Sequence, residues 1–222
     1  MPLARLDVRK IAVNILVIAP HPDDETIGCG GTLCMHADRG DSVSVVFLTS
    51  GELGLKELPS KEAWAIREAE ARKAAGILKV KDIFFLRCSD WRLGNEIPET
   101  ARLLRPVLKT KQPRIIYLPH PEDGHPDHQA SLPILRAALK GVPRLKPALR
   151  LYEVWTPLSE FDVVQDISSH MARKIRALRV HKSQLHDFDY VRAVTGLNQF
   201  RGALAAKSKF AEVFFRMSLS QT

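Results

Sequence analysis

The chain has 222 residues, 45% of them hydrophobic, enough to bury the core of one domain, which is expected to span residues 1–222. Its net charge of +8 is uneven: residues 1–100 carry 13 Lys+Arg and 15 Asp+Glu, residues 101–222 carry 20 and 10. No apolar run approaches the roughly 18 residues of a membrane span, and the three cysteines are too few and odd in number for a disulfide framework.

The start, MPLARLDVRK, is mixed in charge and leads into no cleavable apolar signal segment, so a cytoplasmic protein is expected. Cys29, Cys34 and Cys88 then read as small buried residues in a reducing compartment. The basic residues are scattered through helical patterns such as HMARKIRALRVHKSQ, without interleaved aromatics. They read as a solvated helix face, and no nucleic-acid partner is expected.

Residues 11–19, IAVNILVIA, form an unbroken apolar run, as in a strand buried on both faces. An acidic loop, a helix to about Asp38 and a turn at Arg39-Gly40-Asp41 lead to a second strand over 42–49. That βαβ unit implies parallel pairing. A helix over 61–78 follows, with Ser60 as its N-cap. Next come a strand over 83–86, a helix over 99–110 bent or broken at Pro106, and a strand over 114–119. A helix from Asp127 to Lys140 is interrupted or restarted near Pro133. A strand over 148–155, a short one over 163–167 and helical material complete the chain. The alternation predicts an α/β three-layer sandwich around a mostly parallel, Rossmann-like sheet, with ligands outside the carboxyl ends of the strands.

Two post-strand loops stand out. The first lies in IAPHPDDETIGCGG, residues 18–31, and the second is HPEDGHPDH, residues 120–128. Gly28, Gly30 and Gly31 evoke a dinucleotide loop, but PHPDDETI intervenes after the strand, and Asp23, Asp24 and Glu25 would sit where a pyrophosphate must lie. The glycines instead let the following helix approach the sheet. The loops hold four of the chain's eight histidines, among acids that suit zinc or a similar divalent ion. Spacing alone leaves Asp23 and Asp24 interchangeable as ligand and base.

PHPDDE and HPDH, in this order and about 100 residues apart, resemble the PIG-L or LmbE-like family of zinc-dependent N-acetylglucosamine-type deacetylases. TSGE at 49–52, the Arg67–Glu70 helix and SDWRLG at 89–94 are weaker points of likeness. The resemblance implies an LmbE-like fold, a Zn2+ ion with Fe2+ as an alternative, a small N-acetylated sugar conjugate as substrate, and homo-oligomers in some members. It implies His21, Asp24 and His128 as metal ligands and Asp23 as general base. His125 would protonate the leaving amine or stabilise the oxyanion, Asp127 would orient His125, and Arg67 and Asp90 would meet sugar hydroxyls. On the residues alone, Arg67 could be a surface pair with Glu70, Asp90 a turn residue, and Glu25 the cap of a helix beginning near Thr26. Asp123 stands where some members carry a tyrosine, and Ser50 where an acid is common. Rival readings are a metal-dependent hydrolase of another amide or ester, and a sugar-binding module with a vestigial site.

Overall fold

The computed structural model describes residues 12–218. The chain runs β1 (Asn14–Ala19), α1 (Asp24–Asp38), β2 (Ser42–Thr49), α2 (Ser60–Leu78), β3 (Asp82–Cys88), α3 (Ile97–Lys111) and β4 (Ile115–Pro119). It continues with α4 (Pro126–Leu139), β5 (Ala148–Tyr152), β6 (Val163–Asp166), α5 (Met171–Leu178), α6 (Lys182–Leu185), α7 (Tyr190–Arg201) and β7 (Ala211–Met217). The seven strands form one sheet in the order β3-β2-β1-β4-β5-β7-β6. β1 to β5 pair in parallel, and β7 runs antiparallel to both β5 and β6.

Alternate residues of β1 feed two cores. Leu16 and Ile18 face α3 and α4 through Leu104, Leu108, Ile134 and Leu135. Ile15, Val17 and Ala19 face α1 and α2 through Leu33, Ala71, Ala74 and Leu78. The chain moves from β1 to β3 in one direction along the sheet, then returns to place β4 on the other side of β1. Right-handed crossovers require the helices to change faces when that direction reverses. The gap between the carboxyl ends of β1 and β4 is therefore the crevice where such sheets bind ligands.

Helix α1 has an internal break at Cys29, where φ is −142° and ψ is 15°. The freed amides of Gly31 and Thr32 donate to the Glu212 carboxylate on β7, each at 2.8 Å. The ammonium of Lys174, fully buried, pairs with Glu212 at 2.7 Å and donates to the Ile27 carbonyl and to Asn198 Oδ1, each at 2.8 Å. Gly28 admits the Tyr152 ring of β5 against the helix, and a Cβ there would collide with it, as the close-approach reading of the glycines requires.

Four expectations change. The C-terminal material is not all helical: β7 is a strand whose identity rests on pairing with β5 and β6 rather than on local pattern. α3 and α4 run unbroken through Pro106 and Pro133, each proline forgoing one backbone hydrogen bond to the residue four back, Arg102 or Gln129. Ser60 is the first residue of α2 and Pro59 its cap, with no side-chain cap bond. β5 ends at Tyr152, not at 155. The predicted first strand began at Ile11, which lies outside the described residues together with MPLARLDVRK. Among the described residues no helix is long and apolar enough to cross a membrane.

Removing one partner of a buried ion pair strands the other charge. Glu212→Gln is expected to cost about 3–5 kcal/mol of unfolding free energy, read from the urea midpoint. A loss below about 1 kcal/mol would show that Lys174 does not depend on Glu212.

Candidate active site

The loop after β1 turns tightly into α1. Asp23 sits at φ 132°, a backbone region that non-glycine residues rarely adopt and that costs about 1–3 kcal/mol. Glu25 accepts the Asp23 N–H at 3.2 Å and the Thr26 hydroxyl at 2.7 Å, so it braces this turn from the first turn of α1. The helix begins at Asp24 rather than near Thr26. On the far side, Pro20 O receives the Thr49 backbone N–H at 2.9 Å and its hydroxyl at 3.0 Å, tying the ends of β1 and β2 together.

Three atoms converge between the β1 and β4 loops. His21 Nδ1 lies 3.3 Å from Asp24 Oδ2, His128 Nε2 lies 3.3 Å from the same oxygen, and the two nitrogens are 3.3 Å apart. Ligands of a tetrahedral ion at bond lengths of about 2.0–2.1 Å are separated by about 3.3–3.4 Å. The triangle fits such an ion.

The outer nitrogens of both imidazoles are held by carboxylates. His21 Nε2 meets Asp90 Oδ1 at 3.0 Å and Asp127 Oδ2 at 3.2 Å, while His128 Nδ1 meets Asp123 Oδ1 at 2.9 Å. Metal-ligating histidines characteristically donate their second N–H to a carboxylate, which leaves the inner nitrogen as a lone-pair donor. Two other groupings bring ligand atoms within 4.8 Å of one another: His21 with Asp90 and Asp127, and His21 with His125 and His128. In the first, both carboxylates already accept backbone N–H groups, from Leu53 and from Trp91 and Leu93. In the second, His125 Nδ1 is taken by the Asp127 N–H at 3.2 Å.

The electrostatics call for a cation. Asp23, Asp24, Glu25, Asp90, Asp123 and Asp127 are all buried, with Arg67 as the permanent positive charge among them. Burial lowers the His128 pKa, but Asp24 and Asp123 outweigh it and raise it to about 9. Burial also pulls His21 down, and Asp127, Asp24 and Asp90 reverse that to hold it well above its ordinary value. Asp24 stays far below the carboxylate range: burial opposes its charge, but His128 and His21 favour it more.

Asp23 is set apart from Asp24. Burial, opposed by Arg67 and reinforced by Asp24, pushes its pKa up to about 7. Arg67 acts as a clamp through its two terminal nitrogens, which donate to Gly51 O at 2.7 Å, Pro22 O at 2.8 Å and Asp23 Oδ2 at 3.1 Å, while its Nε is buried without a partner. Gly51, at φ 65°, makes room for the guanidinium; any side chain there would overlap it. Arg67 is therefore no surface partner of Glu70, whose carboxylate instead accepts the Ser183 N–H and hydroxyl.

His125 packs against Trp91 at a tilt, with ring centroids 4.5 Å apart and planes at 56°. The sequence expectation placed the Asp127 carboxylate on His125. The structure places it on His21 and on the amides of Trp91 and Leu93, and the backbone N–H of Asp127 orients His125. With Nδ1 accepting, His125 presents Nε2–H as its donor. Burial, together with His21 and His128, pushes its pKa down to about 4, so the residue is a neutral imidazole rather than a ready acid. Asp123, at the position of the family tyrosine, supports His128 and accepts from the amides of His125, Trp155 and Thr156. The Asp90 and Asp127 supports of His21 were not foreseen, because they reach it across 69 and 106 residues; Asp123 lies only five residues from His128 but reads as an ordinary loop acid.

His21, Asp23, Asp24, Arg67, Asp90 and His125 open into one cleft of about 1020 Å3.

Residues 16–139 match the family described as PIG-L, GlcNAc-PI de-N-acetylase. The chain is 33% identical to the diacetylchitobiose deacetylase of Thermococcus kodakarensis, over 80% of this chain and 71% of that protein. It is 31% identical to a probable N-acetyl-alpha-D-glucosaminyl L-malate deacetylase 2 of Bacillus cereus, over 77% and 83%. Among solved structures, the N,N'-diacetylchitobiose deacetylase of Pyrococcus horikoshii superposes with a TM-score of 0.81 at 27% identity, covering 94% of this chain and 85% of that one.

A metal entering the triangle must displace the protons of His21 and His128, both of which are held below a folded pKa raised above the ordinary value. Calorimetric Zn2+ affinity is expected to weaken by about tenfold to a hundredfold per unit as pH falls from 8 to 6, one or two protons being displaced per ion. A pH-independent affinity over that window would remove His128 from the ligand set.

Proposed function

The chain belongs to the GlcNAc-PI de-N-acetylase family, and we propose that it is a zinc-dependent N-deacetylase. It hydrolyses the acetamide of an N-acetylglucosamine-type sugar conjugate to acetate and a free amine. The observation that carries this reading is the 3.3 Å triangle of His21, Asp24 and His128 with the Asp23 carboxylate beside it. A two-histidine, one-carboxylate set suits Zn2+, and the same set holds Fe2+.

His21, Asp24 and His128 would hold the divalent ion, which would supply activation of a water molecule and Lewis-acid polarisation of the acyl group. The protein supplies the rest. Asp23, with a pKa near 7, is poised to take a proton from the attacking water at neutral pH and to return it to the departing nitrogen. Arg67 keeps the carboxylate in place while its proton load changes. His125 Nε2–H donates to the acyl oxygen as negative charge develops there, the second of the two roles expected for it. Asp127 acts twice as a positioning residue, through its carboxylate on His21 and its N–H on His125. Asp90 backs His21 in the same way, so a bond from Asp90 or Arg67 to a sugar hydroxyl would add to these contacts rather than replace them.

The test pairs metal analysis with acetate release from a panel of N-acetylglucosaminides. Asp23→Asn is expected to keep its metal and lose about 10²–10⁴-fold in kcat, whereas His128→Ala is expected to lose the metal itself. Full turnover by Asp23→Asn would sink the base assignment. Metal binding without acetate release from any member of the panel would favour the rival hydrolase of another amide or ester.

A further inference from the structure

Beside the catalytic cleft lies a second cavity of about 350 Å3. The two share Ile27, Trp155, Phe188 and Tyr190 as a common wall. Ile27 lies one helical turn beyond Asp24, so the wall stands close to the metal triangle. The remaining surface of the small cavity is largely aliphatic, with Val154, Pro157, Val194 and Leu197.

Its polar lining is already committed. Asn198 accepts from Lys174 and donates to the Ala211 carbonyl, and Asp189 caps α7 through the Arg192 N–H. The aromatic wall is nevertheless open to solvent: Trp155 is 47% and Phe188 53% exposed. Trp155, Phe188 and Tyr190 pack in a triangle with centroids 5.5, 5.6 and 5.9 Å apart. A contiguous exposed apolar surface of this kind marks a binding site, and this concave one adjoins the cleft that holds the ionisable groups of the metal triangle.

We propose that this cavity is a subsite for an apolar group of the substrate, an alkyl or aryl chain of several carbons carried by the N-acetylated sugar. The inference rests on the deacetylase reading and deepens it. The larger cleft, where the charged and polar side chains of Lys56, Glu57, Glu70 and Gln184 gather beside the metal triangle, takes the sugar, and the small cavity takes the chain. Two sources fit this chemistry, an apolar aglycone and an N-acyl group longer than acetyl.

Two substrate series separate them. One lengthens the aglycone of alkyl N-acetylglucosaminides from methyl to octyl; the other lengthens the N-acyl group of the methyl glycoside from acetyl to octanoyl. One series is expected to gain about fourfold in kcat/KM per buried methylene until the cavity fills, and the series that does so names the source. Ala193→Trp, at an exposed position on the cavity wall, is expected to bring the long-to-short ratio of kcat/KM close to one. Trp155→Ala is expected to shrink the same ratio severalfold by a different route. A flat response in both series, or a gradient unchanged in both variants, overturns the subsite. If no N-acetylated sugar is hydrolysed, the deacetylase reading fails separately. The cavity is then tested by calorimetry with alkyl glucosaminides: a chain-length gain in affinity that Ala193→Trp abolishes supports it, and equal affinities along the series overturn it.

Discussion

Six carboxylates buried around two imidazoles and one guanidinium are the constraint on which the rest of this site depends. Buried charge is tolerated only when it is paired. Without a cation the remedy is protonation, and four groups are displaced in that direction: His21, His128, Asp23 and Glu25 all titrate above their ordinary values. A divalent ion offers the alternative remedy, replacing two protons by one doubly charged centre. The carboxylates on the outer nitrogens then do more than orient rings. They raise the basicity of the inner nitrogens and so strengthen the ligand set.

The fold delivers this cluster through its topology. β1 and β4 are neighbours although about 100 residues separate them, and the direction of winding reverses between them. The His21-Asp24 loop and the His125-His128 loop therefore face each other across a crevice that needs no further rearrangement. α1 carries Asp24 at its start and is pinned at its internal break by Glu212 of β7, three strands along the sheet from β1. The ion pair of Lys174 with Glu212 thus anchors the helix that begins with Asp24. Covalent neighbours set the spacing of Asp23 and Asp24, but the orientation of the helix is settled by a strand about 190 residues downstream.

This distribution of labour explains what was legible in the sequence. The apolar strands and the two loops are local patterns, and they led to the sandwich and to His21, Asp23, Asp24 and His128. The strand at 211–217 was not legible because three successive apolar residues, Val213 to Phe215, blur its alternation, and because Glu212, its second residue, is buried only through its pairing with Lys174. The work of Asp90, Asp123 and Asp127 was hidden for a related reason: an aspartate in a loop reads the same whether it meets a substrate, a turn amide or an imidazole. Only the structure shows that the Asp127 carboxylate serves His21, 106 residues away, rather than its neighbour His125.

The two adjacent aspartates show how backbone geometry divides chemical work that spacing leaves undivided. Asp24 is the first residue of α1, and its Oδ2 accepts the His21 amide at 2.8 Å, which aims the same oxygen at both imidazole nitrogens. The two histidines keep it ionised. Asp23 sits one residue earlier at φ 132°, so its side chain leaves the backbone in another direction and meets Arg67 instead. There it has burial and a like-charged neighbour to raise its pKa and only one permanent cation to lower it. A strained φ of this kind persists only where surrounding bonds enforce it, and here Glu25 holds the Asp23 amide while Arg67 holds the carboxylate and the Pro22 carbonyl. The strain is what separates a carboxylate held ionised from one whose pKa is raised, within two consecutive residues.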